Sequence, residues 1–172
     1  VISPVRADIG VATNSEQLEK SMPLNIKDLK IESLDFAPLG KMRDEHAGDK
    51  GNVIPRLKIS GAPKEAVELA VICHDPDAPL AQGFTHWTLY AVPPGTTDLD
   101  GAQEKFRVGP NGAGQPGYYG PQPPAGHGLH HYYFWVYALD TKVQGTPTRE
   151  EFLERYKDHI IEQNRVVGTY EN

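Results

Sequence analysis

Residues 132–139 read YYFWVYAL, a run of apolar and aromatic residues with no charged interruption. Successive side chains of a strand point to opposite faces, so a run that is apolar throughout asks for a strand buried on both sides. A helix over the same residues is disfavoured by its brevity and its aromatic and β-branched content. The remaining strand signals are short and scattered. Asp28–Phe36 alternates in part between apolar and polar residues, as a half-buried strand does. Val67–Cys73 and Thr85–Val92 read as central strands, and Arg165–Tyr170 as a last short one. One helix is clear. Thr148 and Glu151 form a capping-box pair, and Phe152, Leu153, Tyr156, Ile160 and Ile161 follow on one stripe. A further short helical turn is expected at residues 15–20. Short strands, long loops and a late helix predict a mostly β chain, an antiparallel β-sandwich with a few peripheral helices, rather than alternating β-α units.

The loops are unusual. Residues 109–128 hold seven glycines and five prolines, interleaved with Tyr118 and Tyr119. Prolines and tyrosines in that density predict a stiff, ordered loop, and ordered loops of this length usually form sites. A chain of 172 residues is read as one domain, spanning 22–172, preceded by a polar extension or leader-like segment at 1–21. The net charge of -6 argues against nucleic acid as partner and against general adhesion to anionic membranes. Cys73 is the single cysteine, so no internal disulfide can form, and its apolar neighbours make it a small buried hydrophobe. No stretch approaches the ~20 apolar residues of a membrane-spanning helix. A cytoplasmic location is favoured, and a processed, secreted form fits the same residues.

Polar groups gather at three strand ends. Asp75 and Asp77 lie in the turn DPDAP that follows a strand. His86 opens the next strand, where period-two geometry puts His86, Thr88 and Tyr90 on one face and Trp87, Leu89 and Ala91 on the other. In LHHYY, His130 and Tyr132 share one face, and His131 and Tyr133 the opposite one. Singly, each has an ordinary explanation: a strand-end histidine is commonly solvated, and an aspartate in such a turn commonly caps its own loop. Taken together, carboxylates, two histidines and a phenol can bind an anion through imidazolium and hydroxyl donors while a carboxylate orients the rings. His127, His130 and His131 have a superficial metal-ligand spacing. Adjacent histidines on a strand point apart, however, and no Cys or Glu partner stands at diagnostic spacing, so no metal is expected. No cofactor is expected either. There is no Gly-x-Ser-x-Gly elbow, and Gly112 and Gly114 do not sit between a strand and a helix as a nucleotide fingerprint would.

Asp75-Pro-Asp-Ala-Pro79, His86-Trp87, Gly120-Pro-Gln-Pro-Pro124, Gly128-Leu-His-His-Tyr-Tyr-Phe134 and Val136-Tyr-Ala-Leu-Asp140 resemble, in order and spacing, the phosphatidylethanolamine-binding protein family, most closely its bacterial and archaeal branch. The resemblance runs from about Leu29 to Tyr170. It implies a compact β-sandwich with a small anion-binding pocket near one edge, lined by Asp75, His86, His130 and Tyr132, with Pro79 and Pro124 shaping the rim. It also implies a cis peptide at Ala78–Pro79. Two departures stand out. Gln122 replaces a glycine of many eukaryotic members, which changes the pocket wall. Phe84-Thr85 replaces a Trp-His pair, which is expected to remove an aromatic ring from the mouth. No role for His127 or His131 transfers from the family.

The function this implies is binding of a small anionic ligand, phosphate or a phosphorylethanolamine-like lipid headgroup, with regulation of a protein partner as its consequence. The alternative is an acid/base enzyme, an isomerase, epimerase or cyclase. Asp75 would then orient or act as base, His86 or His130 would carry the proton, and Tyr132 would donate to a developing oxyanion. A third reading is a protease or kinase inhibitor, as some family members are. The missing nucleophile motif favours binding over catalysis.

Overall fold

The structure, a computed structural model, describes residues 25–172, so the expected extension at 1–21 and the helical turn at 15–20 lie outside the described residues. In chain order the regular elements are β1 (Lys30–Ser33), β2 (Leu57–Ser60), β3 (Glu68–Asp75), β4 (Phe84–Val92), β5 (Asp98–Leu99), β6 (Arg107–Val108), β7 (His130–Leu139), α1 (Arg149–Tyr156) and β8 (Ile160–Tyr170). They form two antiparallel sheets, one in the order β1-β2-β5 and one in the order β6-β4-β3-β7-β8.

The doubly apolar run is accounted for by its place in the larger sheet. Towards the small sheet, Phe134 and Val136 of β7 join Val71, Trp87 and Leu89 against Ile31, Leu57 and Ile59, all buried. On the opposite face Tyr137 and Leu139 join Ile72 and Tyr90 beneath Phe152 and Tyr156 of α1. Phe152 is fully buried and meets the Tyr137 ring at 5.3 Å and the Tyr90 ring at 5.6 Å, distances typical of favourable aromatic pairs. The capping box forms as expected: the Thr148 hydroxyl accepts from the Glu151 N–H, and the Glu151 carboxylate accepts from the Thr148 N–H. It secures a helix too short to be stable alone.

Three expectations change. Ile160 and Ile161 do not continue the helical stripe. α1 ends at Tyr156, and both isoleucines open β8, whose eleven residues begin well before Arg165. Ladder pairing wins here, because Ile160 is matched to Leu139 and the pairing runs on to Tyr170 opposite His130. The outer edge of β8 is covered in turn, with Leu39 N–H on the Val167 carbonyl at 2.7 Å and Met42 N–H on that of Thr169 at 2.8 Å. Second, a strand not among the expected ones, β2, forms at Leu57–Ser60, whose residues alternate buried and exposed. Third, all described peptide bonds are trans, Ala78–Pro79 included. Trans is the form an X-Pro bond prefers by about 0.5–1 kcal/mol. The turn is closed instead by Leu80 N–H on the Ala78 carbonyl and by Asp77 N–H on the Asp75 carboxylate, both at 2.7 Å.

Candidate functional site

Asp75 is the last residue of β3, on the face shared with Val71 and Cys73. Its carboxylate is almost wholly buried, and its Oδ2 accepts from His130 Nδ1 at 2.6 Å. Register explains the meeting, because β3 and β7 are antiparallel neighbours and their pairing ends at His74 opposite Tyr133. A second pair lies beside the first. Asp77 Oδ2 accepts from both the backbone N–H and the Nδ1 of His131, at 2.8 and 2.7 Å. Burial alone would raise the Asp77 carboxyl, but the bonds from His131 outweigh it and hold the group below its usual range. Two aspartates two residues apart thus fasten two adjacent histidines, and the DPDAP turn is tied to the start of β7.

His86 reaches the same place by a different device. Cys73 is paired with Trp87 and His74 with Thr85, which leaves His86 as an extra residue on β4. Such a bulge breaks the period and re-aims a side chain. His86 therefore turns to the inner face, where its ring meets that of Tyr132 edge-on at 5.1 Å, whereas Tyr90 packs on Phe152 on the outer face. The expectation that His86 and Tyr90 share a face is corrected, and the bulge is the reason. His86 Nδ1 donates to the Tyr119 carbonyl at 2.5 Å, and Tyr119 N–H donates back to the His86 carbonyl at 2.8 Å. Burial pushes the imidazole down to about 4, against the raising effects of the Tyr119 carbonyl and the Asp75 charge. At neutral pH it is uncharged, with Nδ1 protonated and Nε2 left as an acceptor. Burial, reinforced by the Asp75 charge, raises the Tyr132 phenol far above its usual range, so it stays a neutral donor.

The glycine-proline loop supplies the opposite wall and is firmly anchored. Asn52 donates to the Tyr118 carbonyl at 2.8 Å and accepts from the Gly120 N–H at 2.6 Å. Asn172 donates to the Pro123 carbonyl at 2.6 Å. Gly120 is required at its position, because a Cβ there would collide with the His46 carbonyl.

These elements enclose a cavity of about 480 Å³ lined by Asp75, Pro79, His86, Pro124, His130 and Tyr132, the six residues singled out in the sequence. Phe84, Tyr119 and Gln122 line it as well. The expected loss of an aromatic ring at the mouth does not occur. Phe84 stands edge-on to His86 at 4.7 Å, and its ring is 6.0 Å from that of Tyr119. Phe84 is brought inward by the same bulge, which pairs it with Asp75. Gln122 does alter the wall, accepting from the Tyr119 hydroxyl at 2.9 Å. His127, without a role in the sequence reading, has its Nδ1 at 2.6 Å from His130 Nε2. No lysine or arginine is among the cavity's lining residues. Any positive charge must therefore come from a protonated histidine. Cys73 is buried beside the site, and burial pushes its thiol well up, which makes it a packing residue. Among the described residues no three His, Cys, Asp or Glu side chains are arranged to hold a metal ion. A larger hollow, about 620 Å³, is lined by Asp35, Arg43 and Arg56, but there Arg56 is already paired with Asp35 at 2.7 Å.

Residues 32–171 match the sequence model of a family described as phosphatidylethanolamine-binding protein. A UPF0098 protein of Pyrococcus abyssi is 42% identical over 130 residues, 70% of this chain and 72% of the relative. The crystal structure of the phosphatidylethanolamine-binding protein homologue CT736 of Chlamydia trachomatis superposes with a TM-score of 0.77 at 33% identity, covering 84% of this chain and 97% of that one. Escherichia coli YbcL, described as a member of the mammalian PEBP family, gives a TM-score of 0.76 at 28% identity, over 85% of this chain and 99% of its own. Among the described residues no helix is long and apolar enough to cross a membrane.

Proposed function

Because the chain belongs to the phosphatidylethanolamine-binding protein family, we propose that its cavity receives the oxyanion head of a small ligand, and that the protein acts by binding. The observation that carries this reading is the convergence of the Asp75–His130 pair, His86 and Tyr132 on one cavity of about 480 Å³. His130 in its charged form has Asp75 as counter-charge and can offer one positive donor. The Tyr132 hydroxyl adds a neutral donor. The uncharged His86 presents an acceptor, suited to the hydroxyl of a partly protonated phosphate. With the Asp75 carboxylate beside His130 and no arginine or lysine in the lining, the cavity offers hydrogen-bond donors rather than net positive charge, which suits a phosphate monoanion or a phosphorylethanolamine head better than a dianion. Leu80, 60% exposed at the mouth, and Tyr119 offer an apolar rim that a protein partner could read together with the occupied cavity. Titration with inorganic phosphate and with phosphorylethanolamine, followed through the ring resonances of His86 and His130, tests the proposal. Saturable shifts are expected, and flat resonances at millimolar ligand refute it.

The Asp75–His130 hydrogen bond also favours a second reading, general acid/base catalysis, since a carboxylate-oriented imidazole is the usual proton carrier. Turnover of a substrate by the wild-type chain that is lost in His130→Ala supports it. Equal turnover by both rules it out.

A further inference from the structure

We propose that His127 is a built-in competitor of the ligand: it occupies the nitrogen of His130 that an oxyanion needs and is displaced when the ligand binds. An imidazole has two hydrogen-bonding atoms, and both of those on His130 are engaged. Nδ1 meets Asp75 Oδ2 at 2.6 Å, and Nε2 meets His127 Nδ1 at 2.6 Å. The His127–His130 bond uses Nε2 whichever ring carries the shared proton. An oxyanion that binds through His130 must therefore replace one of these two partners.

The partners differ in how readily they can be replaced. The Asp75–His130 contact is buried on both sides, with side-chain exposures of 3% and 4%. Breaking it would strand a carboxylate out of water, which is strongly unfavourable. His127 is exposed, and leaving His130 only returns its imidazole to solvent. Release needs only a side-chain rotation, because the backbone of His127 stays tied through its N–H to the Pro124 carbonyl at 3.1 Å. Gly126 and Gly128 have φ of +77° and +98°, and a Cβ at either would meet nothing within 4 Å. Glycine at these positions thus serves backbone conformation, not packing. His130 lines the cavity, and His127 is not among the lining residues. The exchangeable bond accordingly connects the site to the loop outside it, and His127 helps set the affinity and the selectivity of the site.

This inference rests on the cavity being a ligand site. The experiment titrates inorganic phosphate at pH 7 and constant ionic strength into the full chain and its His127→Ala variant. Calorimetry gives the affinity, His86 ring resonances report occupancy, and His127 resonances report release. Removing the competitor is expected to tighten phosphate binding about threefold to tenfold, the equilibrium equivalent of one net hydrogen bond. The His127 resonances of the wild-type chain should move to those of a free imidazole at saturation. Equal affinities with unmoved His127 resonances overturn the competitor and leave the binding function standing. Weaker binding by the variant also overturns it, since His127 would then be a ligand contact. If neither protein shows a His86 shift, both the competitor and the binding reading fall.

Discussion

Acidification from pH 7 to 4.5 should draw on His86 more than on any carboxylate. The imidazole has an ordinary value of 6.5 and is pushed down to about 4 by burial in the fold. Below pH 6.5 the unfolded chain takes up a proton that the folded protein refuses until near pH 4. Its contribution to stability is complete above pH 6.5 and is lost as pH falls towards 4. At about 1.36 kcal/mol per pH unit, the shift amounts to roughly 3 kcal/mol in all, of which about 2 kcal/mol is lost between pH 7 and 4.5. His74, also pushed down to about 4, responds in the same window, so wild-type data alone do not isolate His86. The comparison with His86→Asn does, because Asn keeps an amide near the Tyr119 carbonyl and does not titrate, while His74 is present in both proteins. Asp35 and Asp77, whose carboxyls lie below 3.8, lose their contribution mainly at lower pH. Urea denaturation at the two pH values, followed by tryptophan fluorescence, gives four free energies. The wild type should lose about 2 kcal/mol more than the variant on acidification. An equal loss in both would show that His86 accepts its proton freely in the folded state, and would refute the argument from burial.

Asp75→Ala leaves the Asp77 N–H and the buried His130 Nδ1–H without their acceptor, and should cost about 2–4 kcal/mol in urea denaturation. Asp75→Asn keeps one acceptor oxygen for these two donors and should cost an intermediate amount, while a loss under about 1 kcal/mol in Asp75→Ala would deny the hydrogen bonds their role. Gly120→Ala drives a Cβ into the His46 carbonyl and should cost about 2 kcal/mol or more, lowering the thermal midpoint by several degrees. An unchanged midpoint would mean that the loop is held less firmly than its bonds to Asn52 and Asn172 suggest.

Much of the frame was legible in the residues. The apolar run at 132–139 demanded cover on both faces; the small sheet covers one, and α1 fully buries the other only at Tyr137 and Leu139, leaving Tyr133 and Trp135 half-buried. Thr148 and Glu151 marked the helix start because capping is a local reaction between residues three apart. The same local logic overran at the helix end, where pairing with β7 claimed Ile160 and Ile161. Around the cavity, His130 and Tyr132 share a face as strand period predicts, and Asp75, which the motif resemblance singled out, lines it beside them. Phe84 and Tyr119 were missed as lining residues. Phe84 carried a faint signal, an aromatic two residues before His86, but its orientation depends on a register that sequence does not display.

By itself the sequence determined which segments could become strands, which loop had to be stiff, and which polar groups were available at strand ends. Those properties depend on side-chain chemistry and on spacings of a few residues. The tertiary structure decided where the groups point. One unmatched residue between Trp87 and Thr85 turns His86 inward, because β4 must keep pairing with β3 on either side of it. A glycine-flanked turn then brings His127 to His130, and only the fold could place that second imidazole on the ring nitrogen that Asp75 leaves open.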